Sequence, residues 1–345
     1  MKCETLKVSR IGEDIYALLE NNEIVELRIA DYTKISRAKL GQAYAAKVKT
    51  VETRLSAAFV DLGGEVAFLP FDGKRPEFLV EGKLILVKIV RAEQEGKKAV
   101  VKHIGEVNKN QIAPELVRDL VDWGAWPAPR DADGFETQQI MDIIEDQISN
   151  TVLLKNGGDI SIESTRAAIA IDVDASGRTS GGTNQRNFNH KLNLEAAREA
   201  MRQIRLRNLS GLIIIDFVGA PSKIEALELL AVIKENLPNG RKCEILPISK
   251  FGICEIAREN YGAPLYQLIG KSGTKTTQRI AIDAVNALAT RLSHFKGDLV
   301  KLKINPNAHA YLQTWEYDWK THLAQKIGGR YEIQIDETVE FVVYT

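Results

Sequence analysis

Two short apolar runs, each closed by an aspartate, constrain this chain more than any other feature. The first reads Ala168-Ile169-Ala170-Ile171-Asp172-Val173-Asp174, and the second reads Leu212-Ile213-Ile214-Ile215-Asp216-Phe217. Nearly continuous apolar runs of this length, bounded by turn residues, predict strands buried on both faces. Side chains alternate along a strand, so Asp172 and Asp174 share one face. An ionised carboxylate in such a setting costs roughly several kcal/mol unless it is paired, hydrogen-bonded or bound to metal. If the two strands are neighbours, Asp172, Asp174 and Asp216 converge, and like charges that close need a cation. Carboxylate and water oxygens suit Mg2+ or Mn2+.

A polar loop with several glycines, Ser176 to Asn189, separates the runs and carries Arg178 and Arg186. A helix is expected to follow from about Leu194 to Asn208, with Asn193 as its N-cap and Glu195 in its first turn. Ala197, Ala200, Met201 and Ile204 have the spacing of a buried face, while Arg198, Arg202 and Arg205 share another. The arginine face reads either as a phosphate carrier or as a solvated stripe paired with Glu195 and Glu199.

Four ordered strings carry a family resemblance: Ile-Asp-Val-Asp-Ala-Ser-Gly-Arg (171–178), Asn-Leu-Glu-Ala-Ala (193–197), Arg-Gln-Ile-Arg-Leu-Arg-Asn-Leu-Ser-Gly-Leu-Ile-Ile-Ile-Asp-Phe (202–217) and Ile-Ser-Lys-Phe-Gly (248–252). Together they resemble the catalytic region of the bacterial ribonuclease E/G family. The resemblance implies a DNase I-like catalytic domain in which Asp172 and Asp216 hold a catalytic magnesium. It also implies an asparagine beside the first aspartate, where this chain has Asp174 followed by Ala175 as a one-residue insertion. The expected catalytic set is therefore Asp172, Asp216 and Asp174, with the metal on Asp172 and Asp216.

The 345 residues, 44% of them hydrophobic, support two or three packed units. Formal net charge is zero, so attraction to nucleic acid must come from local patches. Residues 1–37 alternate as strands, with a turn at Glu20-Asn-Asn-Glu23. Residues 38–106 contain several short strands separated by glycine turns, the pattern of a small closed barrel. This segment looks like an S1 domain of the OB-fold class, which binds single strands by stacking bases on aromatics flanked by basic side chains. By that resemblance Phe59 and Phe68 are stacking candidates, and Lys47, Lys88, Lys97 and Lys98 follow the backbone; for Phe59, core packing is the competing reading. The family's 5′-end sensor has no room here, since Leu84 to Ile89 is followed almost at once by Glu93-Gln-Glu-Gly. No 5′-monophosphate preference is expected.

Residues 107–135 read as a connector with one helix from Ala113 to Asp122, and the family's longer RNase H-like part is largely absent. Trp123 and Trp126 in this stretch serve either to cover an apolar edge or to stack on a base. Residues 136–268 form the catalytic domain: a helix near 138–148, a hairpin over 151–163 turning at Asn156-Gly157, a helix over 221–235, a strand over 243–248 and a helix from Gly252. Lys250 and Arg258 are its expected basic contacts. Residues 269–345 form a small C-terminal α/β domain with helices at 276–293 and 307–325. Trp315, Tyr317 and Trp319 serve packing or a subunit contact there. Gly270-Lys271-Ser272 is not a P-loop, because Leu265 replaces the required glycine. The expected fold class is thus α/β (α+β) and multidomain: an S1/OB-type β-barrel, a layered α/β catalytic domain and a small C-terminal domain.

Cys3, Cys243 and Cys254 are too few and too scattered for a disulfide framework or a zinc knuckle. They are expected as reduced thiols in a cytoplasmic protein, Cys243 and Cys254 buried. The paired-cysteine zinc link of the family is missing, so no zinc is expected, and any homo-oligomer would form without it. The five histidines show no ligand spacing; His190 is either an RNA contact or a solvated helix-start residue. No run approaches membrane-spanning length. The resemblance implies a metal-dependent endoribonuclease that hydrolyses single-stranded RNA internally to 5′-phosphate and 3′-hydroxyl ends, with Phe59, Phe68, Lys47, Lys97, Lys98, Arg178, Arg186 and Lys250 on the RNA. The alternative is an RNA-binding protein that keeps the fold with weak or absent cleavage.

Overall fold

A computed structural model describes residues 2–33, 41–91, 93, 98–108, 112–118, 126–176, 183–237, 242–260, 262–294, 299–327 and 330–345. The chain divides into two compact units, one of Met1–Ile35, Trp126–Glu259 and Pro264–Thr345, the other of Ser36–Ala125 and Asn260–Ala263.

In the first unit, strands β1 (Cys3–Arg10), β2 (Glu13–Glu20) and β3 (Glu23–Asp31) form an antiparallel meander. Asn21 and Asn22 turn the β2–β3 hairpin with φ of 50° and 68°, the left-handed pair that a tight hairpin twist requires.

The second unit is a closed barrel of β4 (Ala43–Glu52), β5 (Ala57–Asp61), β6 (Val66–Pro70), β7 (Leu84–Arg91) and β8 (Val100–Gly105). Its strand order is β5-β6-β8-β7-β4, and a further β4–β5 pairing closes the ring. Ala46, Val48, Ala58, Val60, Ala67, Leu69, Ile85, Val87, Ile89 and Val101 fill it. This is the expected OB-like barrel. The connector helix predicted over 113–122 is corrected: Glu115–Arg118 is strand β9, paired antiparallel with β4. A sheet edge at β4 offers unpaired backbone groups, and satisfying them outweighs the local helical pattern.

Returning to the first unit, β10 (Pro129–Asp131) pairs parallel with β1, and α1 (Gly134–Asp146) starts from a capping box of Asp133 and Glu136. A six-stranded sheet follows, from β11 (Thr151–Leu153), β12 (Asp159–Ser164), β13 (Ile169–Asp174), β14 (Gly211–Asp216), β15 (Cys243–Ile245) and β16 (Ile253–Arg258), in the order β11-β12-β13-β14-β16-β15. Helices α2 (Thr183–Leu206) and α3 (Lys223–Glu235) supply Ala197, Ala200, Met201, Ile204, Leu229 and Ile233 to the core that Ile171, Val173, Ile213, Ile215 and Ile256 build from one face of this sheet. The helix predicted from Gly252 is corrected to strand β16, in which Cys254, Ile256 and Arg258 are buried with the period of two.

A short helix α4 (Tyr266–Ile269) leads into a hairpin of β17 (Gly270–Lys271) and β18 (Thr274–Lys275). Gly270-Lys271-Ser272 thus lies in a hairpin and not in a phosphate loop. The C-terminal domain packs α5 (Thr277–His294), α6 (Pro306–Gln313) and α7 (Trp319–Ile327) with the sheet β20 (Tyr331–Ile335), β19 (Val300–Ile304), β21 (Phe341–Tyr344). The single helix predicted over 307–325 is two helices. Trp319 is 3% exposed in the core between them, with Trp315 edge-on at 6.3 Å between ring centroids.

Between this domain and the N-terminal meander lies a buried ion cluster. Arg279 donates to both oxygens of Glu13 at 3.1 and 3.0 Å and to Asp283, while Arg10 reaches Glu13 at 2.6 Å and Asp283 at 2.9 Å. Arg279 and Glu13 are 2% and 1% exposed. Removing one member leaves a buried charge short of partners. Arg279→Ala is expected to cost about 3–5 kcal/mol in urea unfolding, whereas the exposed pair of Lys83 with Glu106 at 3.2 Å is expected to change stability by less than about 1 kcal/mol when Lys83 is replaced.

Candidate active site

The register of one strand pair builds the site. Strands β13 and β14 run parallel, and Asp172 stands directly opposite Asp216. Neighbouring strands lie about 4.8 Å apart, and side chains of matched residues project to the same face. That face is the one the helices leave open: Asp172, Asp174 and Asp216 are exposed, while Ile171, Val173 and Ile215 between them are buried against α2 and α3. The adjacent strand β12 sets Ser161 opposite Asp172 and Asp159 opposite Asp174.

Partial burial raises the pKa of Asp172 above the ordinary carboxylate value, and the charges of Asp216, Asp174, Asp159 and Glu163 push it the same way. Among the described residues no ion pair reaches Asp172, Asp174 or Asp216. Asp174 has a separate structural task. Its carboxylate accepts the Ser176 backbone N–H at 2.8 Å, Ser176 sits at φ 51°, and the Ser176 hydroxyl donates to Asp159 at 2.9 Å. The extra carboxylate therefore fastens the turn that leaves β13.

Among the described residues no three His, Cys, Asp or Glu side chains are grouped to hold a metal ion. The site instead offers two carboxylates at matched register, which is the protein share of a Mg2+ site that keeps its waters and takes its remaining oxygens from a phosphate. Uncompensated repulsion around Asp172 fits a divalent cation there.

Two contacts fix the end of β14. Asn193, 3% exposed in the middle of α2, accepts the Val218 N–H through its side-chain oxygen and donates its amide to the Val218 carbonyl, both at 3.0 Å. The expected N-cap role of Asn193 is thus corrected: α2 begins ten residues earlier, at Thr183, and the amide clamps a loop instead of a helix end. On the other side, Phe217 N–H donates to the Gly252 carbonyl at 3.1 Å. A Cβ on Gly252, at φ +86°, would come within 2.6 Å of the Gly219 carbonyl, so no larger residue fits.

The remaining candidates divide. Arg202 pairs with Glu199 at 2.9 Å and Glu23 at 3.2 Å, and Arg205 pairs with Glu20 at 2.6 Å and Glu26 at 3.3 Å. Arg202 and Arg205 thus tie α2 to the N-terminal meander, while Arg198, the third member of that face, is exposed and donates to the Leu194 carbonyl of its own helix at 3.4 Å. Arg186 makes a two-pronged pair with Glu225 at 3.1 and 3.0 Å, which holds Glu225 down at about 2. His190 meets Glu228 at 2.7 Å, so both residues brace α2 on α3. Arg258, expected as a basic contact, is corrected to a buried structural residue: 3% exposed, it donates to the carbonyls of Leu209 and Ile204. Lys250 is exposed on the turn that precedes Gly252. Arg178 and Lys97 lie outside the described residues. Cys254 is buried, and its thiol is pushed up to about 12 by burial; burial also raises the half-buried Cys243.

In the barrel unit, Phe59 and Phe68 are cross-strand partners with ring centroids 5.8 Å apart, edge to face. Their neighbours Ala58, Val60, Ala67 and Leu69 fill the interior, so the two rings lie on the outer surface and core packing of Phe59 is excluded. Lys47 and Lys98 are exposed, and Lys88 faces Lys102 across β7 and β8.

Two outcomes follow from this geometry. Replacing Asn193 with Ala strips two partners from the Val218 backbone and is expected to cost about 1–3 kcal/mol in urea unfolding. For Asp172, the folded pKa lies above the unfolded one, so its stabilising share is complete below the ordinary Asp range and is lost as pH rises through the folded value. Asp172→Asn is accordingly expected to melt at or slightly above the native protein at pH 7 in EDTA, by less than about 1 kcal/mol because solvent screens the exposed group. That difference should vanish below about pH 4.

Comparison with known proteins assigns this constellation a lineage. A profile described as the Ribonuclease E/G family matches residues 74–261, more than half of the chain. Ribonuclease E of Escherichia coli is 38% identical over 133 residues, covering 38% of this chain and 12% of the relative. Ribonuclease E of Synechocystis is 36% identical over 129 residues, covering 37% of this chain and 19% of the relative. The chloroplastic Ribonuclease E/G-like protein of Arabidopsis thaliana is 32% identical over 127 residues, covering 36% and 13%. The matches thus span less than a fifth of these relatives' own lengths. The chain belongs to the ribonuclease E/G family.

Proposed function

We propose that the protein is a metal-dependent endoribonuclease that hydrolyses single-stranded RNA internally, leaving 5′-phosphate and 3′-hydroxyl ends, and that it acts in RNA processing or decay in the cytoplasm. One observation carries this reading: Asp172 and Asp216 stand at matched register on the open face of the sheet with no basic partner among the described residues. Asp172 and Asp216 would hold the divalent ion, Mg2+ or Mn2+. When bound, that ion supplies activation of a water and stabilisation of charge on the scissile phosphate. Asp174 holds the turn beside the pair, Asn193 and Gly252 hold the end of β14 that carries Asp216, and Lys250 takes a neighbouring phosphate.

The barrel supplies the second half of the reading. Its outer pair Phe59 and Phe68, flanked by Lys47 and Lys98, matches the requirement for a single strand: π-faces for bases and cations for the backbone. Among the described residues no helix is long and apolar enough to cross a membrane.

The test is incubation of an end-labelled, A/U-rich single-stranded RNA with the native protein, Asp172→Asn and Asp216→Asn, in Mg2+ and in EDTA. Internal cuts bearing 5′-phosphates are expected with metal, reduced more than about 100-fold in both variants, the scale set by losing transition-state charge stabilisation. RNA that is bound and stays intact in every lane would establish the alternative, a binding protein that keeps the fold.

A further inference from the structure

The Ser249–Gly252 turn joins β15 to β16 and sits at the Asp216 end of the sheet: Ile253, the first residue of β16, is the register partner of Asp216. The turn is tightly built. Ser249 accepts the Gly252 N–H on its carbonyl at 3.1 Å, accepts the Phe251 and Ile253 N–H groups on its hydroxyl at 3.2 Å each, and donates its own N–H to Ile253 at 2.9 Å. Gly252 then locks the turn onto the loop after Asp216 through the Phe217 N–H and through the close approach of the Gly219 carbonyl. At the apex of this fixed frame Phe251 is 84% exposed.

An isolated exposed apolar side chain needs no explanation where the chain is loose. Phe251 differs on two counts. Its own N–H is held by the Ser249 hydroxyl and three further hydrogen bonds fix the turn on either side of it, so the ring is presented and not merely left over. It is also next to the exposed cation Lys250 and, through Gly252 and Ile253, at the edge of the carboxylate pair. The register puts that edge beside the strand that ends in Asp216, and an aromatic face beside a cation is what a base and its phosphate recognise.

We infer that Phe251 is a stacking platform for the nucleobase adjacent to the phosphate held at Asp172 and Asp216, with Lys250 on that nucleotide's phosphate. The inference rests on the carboxylate pair being the cleavage centre. It adds a base subsite within the first unit, separate from Phe59 and Phe68 of the barrel.

Phe251→Ala, Phe251→Tyr and the native protein are compared in two assays. In EDTA, affinity for a short single-stranded RNA is measured with the intact oligonucleotide and with a series carrying one abasic position each. In Mg2+, KM and kcat are measured on the same RNA. Phe251→Ala is expected to weaken binding and raise KM about tenfold with kcat little changed, Phe251→Tyr to restore both, and the penalty to disappear with one abasic position. The melting temperature should not move, since the removed ring is exposed. Native-like binding by Phe251→Ala, a penalty that persists at every abasic position, or a change in oligomeric state on sizing would each overturn the stacking role, the last by making the ring a protein contact. If the native protein binds RNA without cutting it, the nuclease reading fails while the binding assay still decides the fate of Phe251.

Discussion

The open face of the six-stranded sheet is organised around two like charges held at the same height on neighbouring parallel strands. Strands β13 and β14 could pair in other registers, but one alternate set of their apolar residues is buried against α2 and α3, and a one-residue slip would turn that set outward. Burial of Ile169, Ile171, Val173, Ile213 and Ile215 therefore fixes the register, and the register opposes Asp172 to Asp216. The hydrophobic effect thus holds together an arrangement that electrostatics alone would push apart. Local instability at a site of this kind is the ordinary cost of preorganising charge before a ligand arrives.

Helix α2 is the brace for that arrangement, and its polar residues divide the work. Arg202 and Arg205 tie it to Glu20, Glu23 and Glu26 of the N-terminal meander. Arg186 and His190 tie it to α3, Glu195 accepts from the Asn156 turn of the β11–β12 hairpin, and Asn193 grips the chain just beyond Asp216. Each contact is modest alone. Together they set one helix against four other segments, so the carboxylates inherit the rigidity of a packed core.

Much of this was legible in the sequence. The two aspartate-ended strands, the hairpin over 151–163, the barrel, α3 and α5 all carry strong periodicity or turn chemistry, and they are present, although the aspartate-ended strands are buried on one face and not on both. The start of α2 was not legible, because residues 183–193 are mostly Thr, Asn, Gln, His, Lys and Arg, which have little apolar period and mediocre helix propensity. Pairing with α3 stabilises that stretch from outside. Asn193 was misassigned for a related reason: an asparagine amide that satisfies backbone groups looks the same in sequence whether the backbone belongs to a helix start or to a loop 25 residues away. Arg258 looked like a ligand contact because burial is invisible in a string; in β16 it falls on the inward-facing period with Cys254 and Ile256. The turn at Ser249–Gly252 shows in sequence only as a glycine, and its fit against Gly219 exists only in three dimensions.

The buried cluster of Arg10, Glu13, Arg279 and Asp283 also has a bearing on how the chain is made. Glu13 and Arg279 are separated by 266 positions, so during synthesis the meander emerges long before the second guanidinium that pairs with its carboxylate. Until helix α5 arrives, Arg10 of the same hairpin is the cluster's one guanidinium in reach of Glu13. The N-terminal strands are the earliest part of this unit to be synthesised and among the last to gain all their ion partners, whereas the five strands of the barrel and β9 are in hand by residue 118. Vectorial synthesis would give this protein a folded barrel while the unit bearing Asp172 and Asp216 is still waiting for its final helix.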